Sequence, residues 1–98
     1  MAYRIRFAES VKRPLRQLEA RQRVLLLDAI EQQLSHEPTI ETRNRKLLRP
    51  NPLAPWELRV GDLRVFYDVV GQEEEVRVLA VGQKRGNSLW IDGEEVQL

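Results

Sequence analysis

Apolar and polar residues alternate along two neighbouring segments, residues 56–60 and 63–69, with Phe66 as the exception, and Gly61 and Asp62 separate the two segments. A period of two is typical of strands with one buried face, and a short Gly-Asp link is typical of a hairpin turn. The pattern predicts a β-hairpin with an apolar face made of Trp56, Leu58, Val60, Leu63, Val65, Tyr67 and Val69. The opposite face carries Glu57, Arg59, Arg64, Phe66 and Asp68. The two arginines on that face are expected to be exposed and to repel each other unless an anion or a carboxylate lies between them.

Three further patterns precede this hairpin. Residues 3–7 alternate with period two and predict an N-terminal strand. Ser10 is expected to cap a helix that runs to about Leu18, because Pro14 then falls near the first turn, where a missing N–H costs least. A second helix is predicted over residues 20–34, with an apolar stripe of Val24, Leu27, Ala29, Ile30 and Leu34. The two helices are expected to form a helical hairpin.

The remaining segments complete a predicted fold. Residues 39–55 are largely polar and proline-containing, which predicts a long irregular connection. Residues 76–81 are apolar apart from Arg77, which predicts a central strand. The order is β-α-α-β-β-β, an α+β fold with a helical hairpin packed on one face of an antiparallel-rich sheet. At 98 residues the chain is expected to form a single domain, residues 1–98.

Composition excludes several classes of protein. The chain contains no cysteine and a single histidine, His36, so no disulfide framework, thiolate chemistry, sulfur-ligated metal site or histidine cluster is possible. No metal and no cofactor is expected. No apolar run is long enough to cross a membrane, and a cytoplasmic location without membrane partners is expected.

Charge is distributed unevenly although the net charge is only +1. Between residues 43 and 64 there are six basic residues against two acidic ones, a local excess of four. The basic residues are Arg43, Arg45, Lys46, Arg49, Arg59 and Arg64. Such a segment can form a surface that binds nucleic acid, and it is equally compatible with an ordinary solvated surface.

Two motifs carry a resemblance to a known family. The first is Trp-x-Leu-Arg-x-Gly-Asp-x-Arg-Val-x-Tyr over residues 56–67, and the second is Val-x-x-Val-Gly-x-Lys over residues 78–84. Together with the predicted element order, they resemble the RelE/ParE superfamily of toxins from bacterial toxin–antitoxin pairs. The resemblance implies a compact toxin neutralised by a cognate antitoxin protein. In the RelE branch the toxin is an endonuclease that cuts mRNA on the ribosome, and in the ParE branch it inhibits DNA gyrase.

The same resemblance implies which residues act. Basic side chains on the sheet do the chemistry in the RelE branch, and the matching residues are Arg59 and Arg64 on the hairpin, with Lys84 or Arg85 at the end of the last long strand. Substrate-binding residues are expected to be Lys46, Arg49 and Trp90. Two positions depart from the RelE pattern, because Glu57 stands where a lysine is usual and Trp90 where a tyrosine is usual.

Such a cluster can direct the 2′-hydroxyl of RNA onto the adjacent phosphodiester without a metal. Arginines remain charged and stabilise the extra negative charge of the transition state, but they are poor bases. Lys84 with a lowered pKa, or Glu57, is a candidate base. Glu57 can instead pair with Arg59 or Arg64, and Trp90 can stack on a base or simply pack.

Three functions follow from this reasoning. The first is a ribosome-dependent mRNA endonuclease, and the second is a ParE-like inhibitor of gyrase. The third is an inactive family member that only binds its antitoxin. Trp56 and Tyr67 are expected to be core aromatics rather than ligand contacts. The antitoxin is expected to cover part of an apolar rim and to bring acidic residues to Arg59 and Arg64.

Overall fold

The computed structural model describes residues 2–98. The helices are α1 (Glu9–Gln17) and α2 (Ala20–Leu34). The strands are β1 (Arg4–Phe7), β2 (Arg45–Leu47), β3 (Trp56–Val60), β4 (Leu63–Val70), β5 (Glu75–Arg85), β6 (Ser88–Ile91) and β7 (Glu94–Val96). A 3-10 turn, Gly71–Glu73, joins β4 to β5. Within these residues, no helix is both long and apolar enough to cross a membrane.

The strands form one sheet with the order β2-β3-β4-β5-β6-β7. These neighbours are all antiparallel, whereas β1 runs parallel to the first part of β5. The predicted α+β fold with an N-terminal strand and a helical hairpin is confirmed, and β5 is central as expected. Strands β2, β6 and β7 were not predicted. Each has only three or four residues, which is too short to show a period.

The turn between β6 and β7 has a hairpin signal in its sequence. Asp92 and Gly93 both have positive φ, 51° and 83°. An Asp-Gly pair with positive φ at both residues is the preferred link of a tight hairpin, because its twist matches that of the two strands. The pair therefore marks a hairpin, although the strands on either side are short.

The helices differ in detail from the prediction. Helix α1 begins at Glu9 with Ala8 as its N-cap, so the expected capping role of Ser10 is wrong. Helix α2 has the predicted bounds, but its buried residues are Leu26, Ile30 and Leu34, and Val24 and Leu27 are exposed. Residues 24–27 are all aliphatic, so the pattern alone leaves the rotation of the helix ambiguous.

One apolar core lies between the helices and the sheet. It is built from Val11, Leu26, Ile30 and Leu34 of the helices and from Trp56, Leu58, Leu63, Val65, Tyr67, Val76, Val78 and Val81 of the sheet. Trp56 stacks on Tyr67, with ring centroids 6.0 Å apart. The Tyr67 hydroxyl donates a hydrogen bond of 2.7 Å to the Pro38 carbonyl, and burial raises the pKa of Tyr67. Both aromatics are core residues, as predicted.

A second apolar cluster lies on the opposite face of the sheet. Its buried members are Ala54, Phe66, Ala80 and Leu89, and Ile91 and Val96 of the β6–β7 hairpin pack against them. Phe66 was expected on an open face and is instead wholly buried. The hairpin reaches this face because Gly82 leaves room for it, since a Cβ there would lie 2.9 Å from Ile91 Cγ1.

Glu75 is a buried carboxylate held by two arginines on this face. Arg77 Nε lies 2.6 Å from one carboxylate oxygen, and Arg6 Nε lies 2.8 Å from the other. The hydrogen bond from Arg77 outweighs the opposing effect of desolvation, so the pKa of Glu75 lies below its ordinary value of 4.5.

This arrangement predicts a pH dependence of stability. The native pKa of Glu75 is lower than the unfolded one, so its stabilisation is complete above pH 4.5 and is lost as the pH falls towards the native pKa. Urea titrations from pH 7 down to pH 3 should show a fall in the free energy of unfolding that Glu75→Gln makes shallower. Glu94→Gln, at an exposed glutamate, is the control. If the free energy of unfolding of Glu75→Gln fell as steeply at low pH as that of the unsubstituted protein, this role would be contradicted.

Candidate functional site

The face of the sheet turned away from α1 and α2 carries most of the predicted site; we call it the outer face. The predicted site residues on this face are Lys46, Glu57, Arg59, Arg64 and Lys84, and Asp68, Glu75 and Arg77 lie further along it. Arg59 is paired directly opposite Arg64 across β3 and β4, as predicted, and Arg64 is opposite Gly82 on β5. Side chains at paired positions share one face of a sheet. The fold therefore places four cations and one carboxylate of the predicted site on a single surface.

Arg64 is held by the turn that precedes it. Its Nη1 donates hydrogen bonds to the carbonyls of Gly61 (2.7 Å) and Leu63 (2.9 Å). The residue is only 7% exposed, so the expectation of an exposed arginine is wrong. Both bonds leave from Nη1, and among the described residues Nε and Nη2 make none. The guanidinium is fixed in place with one edge still available to an anion.

The Arg59 side chain, unlike that of Arg64, is not held in place by hydrogen bonds. It is exposed, and within residues 2–98 its side chain makes no hydrogen bond or ion pair. No carboxylate in that range bridges the two arginines. The two carbonyls that accept hydrogen bonds from Arg64 partly offset the repulsion between the two guanidinium groups. An anion placed between the guanidinium groups would be attracted by both.

Glu57 and Lys84 line the same cavity on the outer face, with a volume of about 310 Å³. The far wall of this cavity is the end of the chain, including Val96, Gln97 and Leu98. Lys84 is positioned by its backbone N–H, which donates a hydrogen bond of 2.8 Å to the Asp62 carbonyl in the β3–β4 turn. The C-terminal wall was not predicted from the sequence, because no local pattern shows where a short tail will pack.

Arg85 and Trp90 lie on the other face of the sheet, away from the paired arginines. Successive residues of a strand point to opposite faces, so Arg85 points away from Lys84. Trp90 is opposite Gln83 and therefore also faces the helix side. The Arg85 guanidinium carbon lies 5.5 Å from the centre of the Trp90 ring. The predicted single cluster is thus divided, and of the two alternatives at the strand end only Lys84 lies with Arg59 and Arg64.

Lys46 and Arg49 lie at the sheet edge. Lys46 is exposed on β2 and is paired opposite Glu57. Arg49 is exposed in the loop that follows β2, where its carbonyl accepts a 2.8 Å hydrogen bond from the Asn51 amide. Asn51 also accepts from the backbone N–H groups of Leu53 and Ala54, which gives this loop a defined shape. Lys46 therefore extends the charged surface to a fourth strand, so that it runs from β2 to β5.

The residues of the outer face are suited to stabilising negative charge. Two arginines on one face can bind a phosphodiester and favour a more highly charged transition state. Among the described residues, no group of three or more His, Asp or Glu side chains is arranged to hold a metal ion. Proton transfer has two candidates on the surface, Glu57 and Lys84.

The fold of this chain is similar to that of proteins with solved structures. Neither a protein-family model nor a curated protein sequence matches the chain. A chain of the toxin–antitoxin complex RelBE2 from Mycobacterium tuberculosis superposes with a TM-score of 0.74 and 26% identity, over 86% of this chain and 93% of that one. A chain of the archaeal RelE–RelB complex from Pyrococcus horikoshii OT3 gives 0.69 and 24%, over 89% and 99%. The chain therefore has the fold of a RelE-like toxin. The resemblance carried by the two sequence motifs is confirmed, and the roles of individual residues remain predictions.

Proposed function

We propose that this RelE-like toxin is a metal-independent endoribonuclease that cuts mRNA on the ribosome in the cytoplasm. The observation that carries the proposal is the pairing of Arg59 with Arg64, with Arg64 fixed by two backbone carbonyls. Preorganised charge aimed at a developing anion is usually the largest contribution to such a reaction. A fixed guanidinium beside a mobile one can hold a phosphate and follow its change in geometry.

The proposed reaction is a transesterification within the RNA. The 2′-oxygen attacks the adjacent phosphorus, the bond from phosphorus to the 5′-oxygen breaks, and the products are a 2′,3′-cyclic phosphate and a 5′-hydroxyl. Glu57 is the acceptor for the 2′-hydroxyl proton, and the Lys84 ammonium is the donor to the leaving 5′-oxygen. Both side chains line one cavity of the outer face, which supports this division of roles. Arg59 and Arg64 stabilise the phosphorane between these steps.

The partner proposed for this chain is a cognate antitoxin, as in the toxin–antitoxin complexes that share its fold. One side of α2 exposes aliphatic side chains, and Leu25 is 58% exposed. Leu25 and Ala29 line a groove against Val60 and Leu63 of the β3–β4 turn. We propose that an antitoxin segment covers this groove and that acidic residues of the same protein reach Arg59 and Arg64.

Gyrase inhibition is the second candidate function. It is favoured by the position of Trp90, which leaves the charged residues of the outer face without an exposed aromatic residue among them, since Phe66 is wholly buried. The tyrosines of the chain do not replace it, since Tyr67 is buried in the core and Tyr3 packs at the helix side. A toxin without nuclease chemistry would be compatible with that arrangement.

The test is cleavage of a defined mRNA by the purified toxin with and without programmed ribosomes. We expect cuts only in the presence of ribosomes, with fragment ends that carry a 2′,3′-cyclic phosphate and a 5′-hydroxyl. Supercoiling by purified gyrase is measured beside it. Intact mRNA together with loss of supercoiling would select the gyrase alternative, and no effect in either assay would identify an inactive, antitoxin-binding member.

A further inference from the structure

Helix α2 turns two bulky aliphatic side chains to solvent. Val24 and Leu25 are each 58% exposed, and neither belongs to the apolar clusters formed by the described residues. Single exposed aliphatic residues are ordinary, but two adjacent ones on the solvent side of a helix form a continuous apolar patch. This patch lies on the helix side of the sheet, and the proposed cleavage chemistry does not use it.

The patch is flanked by charges of opposite sign. Arg21, Val24, Leu25 and Asp28 follow the spacing i, i+3, i+4 and i+7, so they lie in one stripe along the helix, and all four are exposed. Among the described residues, neither Arg21 nor Asp28 forms an ion pair. Asp28 borders the groove at the β3–β4 turn together with Asp62, so this end of the stripe attracts a cation.

The stripe is complementary to itself in the antiparallel direction. The point midway between Val24 and Leu25 is equally far along the helix from Arg21 and from Asp28. A two-fold axis through that point brings the apolar patches of two copies together and places Arg21 of each copy beside Asp28 of the other. A parallel pair would instead place arginine beside arginine and aspartate beside aspartate, which is unfavourable.

The other charged residues near the stripe are compatible with this arrangement. Arg23 is turned away from it, because its guanidinium donates hydrogen bonds to two carbonyls at the end of α1. Glu31, further along the stripe, would approach the start of the second copy's α2. There the acid Glu19 is accompanied by two bases, Arg16 at the end of α1 and Arg21. The added contact is therefore attractive on balance.

We propose that two copies of this chain associate through the stripe of Arg21, Val24, Leu25 and Asp28, with their α2 helices antiparallel. One pair of helices buries less surface than a standard interface of about 1,600 Å², so the dimer is expected to be weak, with a Kd between about 10 µM and 1 mM. Leu25 and Asp28 also line the groove proposed for the antitoxin, so the antitoxin and the second copy would exclude each other. Self-association itself does not rest on the proposed function, and its absence would leave the proposed cleavage untouched.

The test is analytical ultracentrifugation of the purified protein, without antitoxin, at concentrations from about 10 µM to 1 mM. We expect a shift from monomer to dimer over this range. Leu25→Ser should raise the Kd at least about tenfold, because a two-fold interface contains the substitution twice. Leu47→Ser is the matched control, since Leu47 is 53% exposed but lies on β2 at the sheet edge, and it should leave the Kd unchanged. A monomer at every concentration, a dimer that survives Leu25→Ser, or a dimer that is lost in Leu47→Ser would each overturn the proposal.

Charge reversal tests the antiparallel arrangement. Arg21→Glu gives a stripe with acids at both ends, and Asp28→Arg gives one with bases at both ends, so each variant alone should have a Kd raised about tenfold. An equimolar mixture of the two should form a heterodimer with an affinity close to that of the unsubstituted protein, because every acid then faces a base. The double variant Arg21→Glu/Asp28→Arg should also associate normally. A mixture that associates no better than its two components would refute the arrangement.

Discussion

Replacing Arg64 by alanine is expected to lower ribosome-dependent cleavage by at least about 10²-fold, the scale expected when one preorganised charge stabiliser is lost. The same change should also lower the free energy of unfolding by about 1–3 kcal/mol, because two carbonyls in a nearly buried site lose their donor. Cleavage rates and urea titrations on the same preparations measure both effects. An exposed arginine, as predicted from the sequence, would carry little stability cost on substitution, whereas Arg64 is nearly buried.

Two control variants separate catalysis from folding in this experiment. Arg59→Ala removes the exposed partner of the pair, so it should lower cleavage with a change in stability within about 0.5 kcal/mol. Arg64→Lys keeps a positive charge but loses the planar guanidinium, whose N–H donors can contact two oxygen atoms at once. It should therefore retain only part of the cleavage activity of the unsubstituted protein. If Arg64→Ala retained full cleavage per folded molecule, the outer face would not be the catalytic surface.

Truncation of Leu26 is expected to give the largest change in stability. Leu26 of α2 is wholly buried against the sheet, and Leu26→Ala should cost about 2–5 kcal/mol through lost transfer energy and the cavity that remains. For a chain of this size, a loss of about 2 kcal/mol corresponds to a fall in Tm of roughly 8 °C or more. Thermal and urea unfolding followed by circular dichroism measure it.

Leu25→Ala is the matched control, since it is the preceding residue and is 58% exposed. Its change in stability should stay within about 0.5 kcal/mol. The same variant should weaken antitoxin binding if the groove between α2 and the β3–β4 turn is the docking surface. Equal destabilisation by the two substitutions would mean that α2 does not bury Leu26 in preference to Leu25.

Much of this fold was predictable from local patterns. The alternation over residues 56–69 assigned the side chains of the hairpin to the correct faces of the sheet. Arg59 and Arg64 share one face, as expected. The bounds of α2 were also predictable, because a helix of 15 residues shows several turns of its period. The order of elements, together with two motifs, was enough to indicate the RelE-like fold.

The rotation of α2 and the three short strands were not predictable in the same way. A run of four aliphatic residues fits more than one helical stripe, and only contact with the sheet selects Leu26 for burial. Strand β2 has three residues and an exposed Leu47, so its sequence carries no sign of a buried face. It forms a strand because its backbone pairs with the edge of β3.

For the candidate site, the sequence by itself determined which residue types are available, and it placed Glu57, Arg59 and Arg64 on the two strands of the β3–β4 hairpin. The tertiary structure decided what surrounds them: Arg64 is enclosed by its own turn, Phe66 is covered by a hairpin from the end of the chain, and Trp90 faces the helix side. The physical reason is that a residue's face follows from the local period of two, whereas its burial depends on elements distant in sequence. Side chains that the resemblance grouped together are consequently divided between two faces of one sheet.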